Sequence, residues 1–302
     1  MEQPREDGVP VTAYAGVITW QDISWNGISF QVPASWQPVV ILNNYLLFED
    51  QYRPILELKW QQIKGSFSVE RILKQLRSSG SKKDSITARS VPQEWQQLLK
   101  PFNCYTFQWQ GEKNYGTGLL RHCPDCNLTT LLQFYMEEPQ LEPVCRHILQ
   151  TLRCHQETDH QCWSIYDIAF SLPVAANLQA QEFLTGRYRI SFQLGELFFS
   201  LLRFKPAGVL LSDIGLTGFG RQLLQHGEQH VDRDEKSQLA CWRKEGNSWQ
   251  RFKKKLRRQQ ADHFLCLRHV PEQNVILGVQ AKSNQPIDEM VVQTILQKYS
   301  AS

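Results

Sequence analysis

Apolar positions along the chain follow two periods. Phe30 to Pro33, Pro54 to Ile63, Phe170 to Pro173 and Phe192 to Phe204 are short runs rich in Ile, Leu and aromatic residues, punctuated by Pro, Gly and Asn, which is the signature of strands. Ser68 to Leu76 instead sets Val69, Ile72, Leu73 and Leu76 on one side at 3.6-residue spacing and predicts a helix. A polar loop, Ser78 to Pro92, follows, and His226 to Ser237 is its counterpart later in the chain. Next comes a three-strand meander with turns at Gly111 to Asn114 and Pro124 to Asn127. Closing helices are predicted over Leu141 to Leu152 and Ile287 to Tyr299. Each has a proline before it and acidic residues in its first turn, where they complement the helix dipole.

Displaced by 147 positions, the chain matches itself. Leu120-Arg121-His122-x-Pro124-x-x-Asn127 falls on Leu267-Arg268-His269-x-Pro271-x-x-Asn274, and Ile148-Leu149-Gln150 falls on Ile295-Leu296-Gln297. Leu120 to Cys154 gives 12 identities in 35 positions, where ordinary composition gives about two or three by chance. At an offset of 140, Trp25 to Pro33 resembles Ile165 to Pro173 more weakly. The pattern predicts a tandem duplication: an N-terminal tail (1–16), unit 1 (17–154), a polar linker (155–161) and unit 2 (162–302). Strands, helix, strands, helix in each unit predicts an α+β class, an antiparallel sheet with helices packed against it.

This order resembles the PsbP/DcrB-like fold group. The resemblance is carried by the two aromatic strands ending in proline, Phe30 to Pro33 and Phe170 to Pro173, followed by hairpins, helix, meander and C-terminal helix. It implies a non-catalytic binding protein, since the group holds photosystem accessory proteins, bacterial lipoproteins and chaperones for type VI secretion effectors.

Composition narrows the classes. Of 302 residues, 41% are hydrophobic and 21% charged, as in ordinary globular domains. No stretch offers the roughly 20 uncharged apolar residues of a membrane span. The N-terminal segment MEQPREDGVP has no apolar core of a signal peptide, so no membrane association and a cytoplasmic location are expected. A net charge of +3 from 33 basic and 30 acidic residues does not by itself call for a polyanion.

Cysteine and histidine concentrate in one place. Of 8 cysteines, Cys123, Cys126, Cys145, Cys154 and Cys162 fall within 40 residues, interleaved with His122, His147, His155 and His160. At the matching positions unit 2 has Val270, Gln273, Val292 and Ala301 for Cys123, Cys126, Cys145 and Cys154. Cys123 and Cys126 in a tight turn can seize one metal ion with both thiolates. Cys154 and Cys162, or His155 and His160 in their stead, can complete a structural zinc site. Cys145, Cys104, Cys241 and Cys266 read as buried core residues. Redox chemistry at Cys-Pro-Asp-Cys lacks the helix N-terminus that lowers a thiol pKa, and a reducing cytoplasm disfavours disulfides. The duplicated His122 and His269 read as structural, closing a turn.

Arg251 to Arg258 holds six cations in eight residues, where the match in unit 1, Cys104 to Gly111, is neutral. Read as a strand, it projects Arg251, Lys253, Lys255 and Arg257 from one face, with Arg258 next in line. Trp242, Arg243, Lys244 and Trp249 lie just upstream. Such a face suits an acidic protein surface, a phosphate backbone, or simply a solvated edge strand.

The nucleophile elbow, P-loop, His-Glu-x-x-His and kinase signatures are missing from the sequence. Gly215, Gly218 and Gly220 have the wrong spacing for a dinucleotide fingerprint, and His226, His230, Asp232 and Asp234 read as a solvated loop. Trp20, Trp25 and Trp36 read as core anchors. The sequence therefore predicts a non-enzymatic adaptor, chaperone or assembly subunit. It would bind a protein partner through the groove between its units and the basic strand. The alternative is a nucleic-acid-associated protein with a structural zinc.

Overall fold

The computed structural model describes residues 17–79, 85–111, 115–135, 142–155, 158–224, 229–234, 238–246 and 261–301. Two compact units divide between Cys154 and His155, with Ser24–Ile28 counted in the second.

In unit 1, β1 (Trp20–Trp25) and β2 (Ile28–Pro33) form a hairpin, and β3 (Gln37–Leu42), β4 (Tyr45–Asp50) and β5 (Arg53–Gln62) follow as a meander. Next come α1 (Val69–Ser79), β6 (Ser85–Arg89), α2 (Gln93–Leu99), β7 (Asn103–Gln110), β8 (Tyr115–His122), β9 (Leu128–Phe134) and α3 (Glu142–Thr151). Seven strands make one sheet in the order β3-β4-β5-β9-β8-β7-β6, antiparallel throughout. β8 lies between β7 and β9 and is buried along nearly its whole length. The helical spacing read from the sequence is satisfied in α1. Leu73 joins Phe107, Leu120 and Leu131 in a core cluster, with Val69, Ile72 and Leu76 packed against it. Trp25 and Trp36 are fully buried.

Unit 2 contains β10 (His160–Ile165), β11 (Ile168–Pro173), β12 (Asn177–Leu184), β13 (Arg187–Leu194) and β14 (Leu197–Phe204). After these come α4 (Ala207–Leu211), α5 (Gly215–Leu223), β15 (Gln229–Asp234) and β16 (Leu239–Lys244). The unit closes with β17 (Asp262–Val270), a 3-10 turn at Pro271–Gln273, β18 (Val275–Ser283), α6 (Glu289–Gln297) and β19 (Ser300–Ala301). Its seven-stranded sheet runs β12-β13-β14-β18-β17-β16-β15. Strand for strand this is the order of the first sheet. A smaller sheet includes β19, β11 and β10. Gly220 of α5 lies flat against Trp242 of β16: a Cβ there would meet the indole ring at 1.9 Å. Close packing, not a turn, is what requires this glycine.

The α+β expectation is overturned. Nineteen strands in three sheets stand against six α-helices among the described residues, so the chain is mainly antiparallel β. The physical reason lies in the polar segments. Ser78 to Pro92 and His226 to Ser237 read as loops, yet β6 and β15 run through them and pair with β7 and β16 at the sheet edges. An edge strand with few apolar residues carries little hydrophobic signal, because it is held by ladder hydrogen bonds on one side only.

Arg251, Lys253, Lys255, Arg257 and Arg258 lie outside the described residues. Upstream of them, β16 pairs with β17 from Leu239↔Arg268 to Lys244↔His263. Among the described residues no helix is long and apolar enough to cross a membrane.

Candidate metal centre

The repeated Leu-Arg-His-x-Pro-x-x-Asn motif is the end of a central strand and the turn after it. In unit 1 it is the β8–β9 turn, closed by the Cys123 N–H donating to the Leu128 carbonyl at 2.9 Å. In unit 2 it is the β17–β18 turn, where the Asn274 N–H donates to the Pro271 carbonyl. Asn127 and Asn274 both take a left-handed conformation, with φ of 55° and 53°. Asparagine tolerates that region far better than most residues.

Arg121 and Arg268 do the same structural work. Arg121, buried on β8, donates from Nη2 to the Leu152 carbonyl at 3.3 Å, just past the end of α3. Arg268 on β17 donates to the Tyr299 carbonyl past α6. Tyr299 is the residue that the 147-position offset places on Leu152. Each arginine thus ties a closing helix to the central strand of its own sheet. The duplicated histidine is structural in unit 1: His122 is buried, hydrogen-bonded to Thr129 at 3.0 Å and stacked on Phe67.

Around Arg121 the thiols converge. The segment after α3 is held in place by a reciprocal bridge, Ser29 N–H to the Arg153 carbonyl at 3.0 Å and Arg153 N–H to the Ser29 carbonyl at 2.7 Å. This delivers Cys154 to the β8–β9 turn. Cys126 Sγ lies 3.7 Å from Cys154 Sγ. The ligand atoms of Cys123, Cys126, Cys154 and His155 all fall within 4.8 Å of one another. His155 follows Cys154 directly in the chain. Four zinc-bound atoms in a tetrahedron with Zn–S bonds of about 2.3 Å put sulfur atoms about 3.8 Å apart. The Cys126–Cys154 separation is therefore already that of a metal-bound pair.

The electrostatics treat the three thiols differently. Burial raises the Cys123 thiol, but the backbone N–H groups of Cys126 and Asp125 donate to its sulfur. With side-chain bonds from Cys126 and Cys154, they bring it below the ordinary thiol value. Burial pushes Cys126 up. It pushes Cys154 up to about 12, against the pull of the Arg121 guanidinium. The same burial lowers the pKa of Arg121, while Cys154, Cys104 and Cys123 act to raise it. A divalent ion on three thiolates and a neutral imidazole leaves one negative charge in excess, and Arg121 stands beside it.

Of the sequence-predicted ligands, the structure gathers Cys123, Cys126 and Cys154, with the alternate His155 as the fourth. Cys162 and His160 sit on β10 and are not members of this cluster. His160 Nε2 faces Lys298 Nζ at 3.4 Å. Cys145 is a buried residue of α3, its thiol raised by burial. On β7, burial raises Cys104 to about 11. Cys241 and Cys266 are buried, but they also form a disulfide, which the sequence reading had disfavoured. The register explains the pairing, since these two residues face each other across β16 and β17. Arg121 escaped the sequence reading as a part of the site. Its signal was present in the Leu-Arg-His repeat, with thiols beside only one of the two arginines.

No protein-family model matches the chain, and no curated protein does. Solved structures give distant likenesses. One is a protein from Bacteroides thetaiotaomicron VPI-5482, with TM-score 0.30 and 14% identity, matching 48% of this chain and only 52% of that one. Another is described as a Tle4–Tli4 complex, with TM-score 0.39 and 11% identity over 93% of this chain and 97% of that one. A third is the type VI secretion immunity protein TplEi of Pseudomonas aeruginosa in complex with a peptide, with TM-score 0.36 and 12% identity over 93% of this chain and 98% of that one. Likenesses this distant assign neither family nor function.

Proposed function

We propose that this chain is a non-catalytic protein-binding subunit, an adaptor or assembly factor, built from two copies of one module. A structural zinc ion on Cys123, Cys126, Cys154 and His155 clips the β8–β9 turn to the segment that follows α3. The observation that carries the reading is the closed ligand set. Four protein ligands fill a tetrahedron and leave no position for a substrate, which separates structural zinc from catalytic zinc. The ion would fasten the β8–β9 turn to the end of α3 and so fix the surface that unit 1 presents. The matching strand order of the two sheets supports the module reading.

Cobalt substitution tests the site. The purified chain is expected to bind one metal ion and, with cobalt, to show tetrahedral d–d bands and strong thiolate-to-metal charge transfer. Added azide or imidazole should leave the spectrum unchanged, and Cys126→Ser should abolish the charge-transfer band. A spectrum that shifts with azide means an open coordination position and overturns the structural reading in favour of an enzyme. Failure to bind zinc or cobalt removes the clip altogether. The partner recovered with the chain from its own cells is expected to be a protein. Recovery of nuclease-sensitive nucleic acid in its place would overturn the protein-partner reading.

A further inference from the structure

The place in unit 2 that corresponds to the thiol cluster is a cavity of about 440 Å³. Val270, Gln273 and Ala301, which occupy the positions of Cys123, Cys126 and Cys154, all line it. So does Arg268, the counterpart of Arg121.

The two arginines meet different surroundings. Arg121 has thiols on several sides and lies over the Phe102 ring at 3.6 Å. Arg268 keeps its bond to the Tyr299 carbonyl, but its Nε is buried without a hydrogen-bond partner. Among the described residues no carboxylate forms an ion pair with it. A buried cationic donor left unpaired is costly, and burial indeed lowers the pKa of this guanidinium. Arginine keeps its charge at physiological pH, so an anion held beside the guanidinium is favoured over a neutral ligand.

The remaining walls fit a small ligand. His269 and Gln238 add polar groups, and Val270 and Leu277 supply apolar surface. The lining is mainly polar, which suits a small charged ligand better than an apolar one. Glu272 also lines the cavity and is exposed. Its charge disfavours a ligand with a second negative group, so one oxyanion head is preferred over several.

We propose that this cavity binds a small organic anion whose single carboxylate or phosphate group sits on the guanidinium of Arg268. The planar guanidinium pairs with either oxyanion through two parallel hydrogen bonds. What the cysteines supply in unit 1, negative charge beside the arginine, the ligand supplies in unit 2.

The test is isothermal titration of the full chain with inorganic phosphate and, separately, with acetate, at ionic strength held constant with chloride. Saturable one-to-one binding of at least one probe is expected, and the probe that binds identifies the head group. Arg268→Gln should abolish it. Because Arg268 also anchors the end of α6, Gln273→Trp is the second variant. It fills the cavity from the turn, leaves the Arg268–Tyr299 bond in place, and should weaken binding by about tenfold or more, or at least ~1.4 kcal/mol. Absence of saturable binding of both probes overturns the proposal, and so does binding that survives both substitutions.

Discussion

The turn after β8 and the turn after β17 share a backbone and differ in what fills it. Both follow a central strand, both end in a left-handed asparagine, and both stand beside an arginine that holds a closing helix by a backbone carbonyl. In unit 1 the space beside the arginine is taken by three thiols and an imidazole. In unit 2 it is open. The framework of strand, arginine and asparagine is therefore independent of the thiols, because unit 2 builds it without them. The side chains that could hold a metal ion stand at one turn only, and the comparison isolates what they contribute.

Metal removal makes the largest difference between the two turns. At free zinc about 100-fold above the dissociation constant, binding stabilises the bound form by about 2.7 kcal/mol. Chelation should therefore speed amide exchange at Cys126 and Leu128 by on the order of 100-fold, with no change at Glu272 and Val275. Hydrogen-exchange mass spectrometry of the intact chain reads both turns in one experiment. Equal acceleration in both, or in neither, breaks the comparison.

Arginine replacement ranks next. Arg121→Gln deletes a buried cation that serves the Leu152 carbonyl and faces the thiols. A cost of about 3 kcal/mol is expected, in the range for breaking a buried charged contact. Arg268→Gln loses the same kind of carbonyl bond but also removes a charge whose Nε has no partner, so about 1 kcal/mol is expected. Urea unfolding of the two variants gives the difference. Equal costs would mean that the thiols contribute nothing to holding Arg121.

The repeat was legible because its Arg and Asn positions do the same backbone work in both units. Arg121 and Arg268 reach a carbonyl 31 residues downstream, and Asn127 and Asn274 adopt positive φ. The Cys-x-x-Cys turn was legible for a similar reason, since spacing alone brings Cys123 and Cys126 together. The second pair was not. Four candidates, Cys154, His155, His160 and Cys162, lay within nine residues, and the choice among them rests on the Ser29–Arg153 bridge. That bridge joins residues far apart in sequence and leaves no local trace. Fold class failed at β6 and β15, whose polar sequences look like loops and become strands only when a neighbour offers its edge. The cavity beside Arg268 was hidden for another reason: valine, glutamine and alanine at a turn announce nothing until the thiols of the matching turn show what the space can hold.

The smallest effect sharpens the comparison most finely. Glycine adopts positive φ without the steric cost that a side chain bears. Asn127→Ala should cost about 1 kcal/mol and Asn127→Gly close to nothing, because among the described residues Asn127 is held through its backbone carbonyl, which accepts from Ile63 at 3.0 Å. Asn274 has further duties. Its carbonyl accepts from the Ala207 N–H at 2.9 Å and its Oδ1 from the Gly208 N–H at 2.7 Å. It thereby satisfies two N–H groups at the start of α4 that have no partner within the helix. Asn274→Gly keeps the left-handed turn and the carbonyl but loses the Oδ1 bond, so a cost of about 1 kcal/mol is expected. Thermal unfolding of Asn127→Gly and Asn274→Gly separates the two roles. If glycine is equally harmless at both positions, the cap on α4 contributes nothing, and the asparagine is retained in unit 2 for its backbone conformation alone.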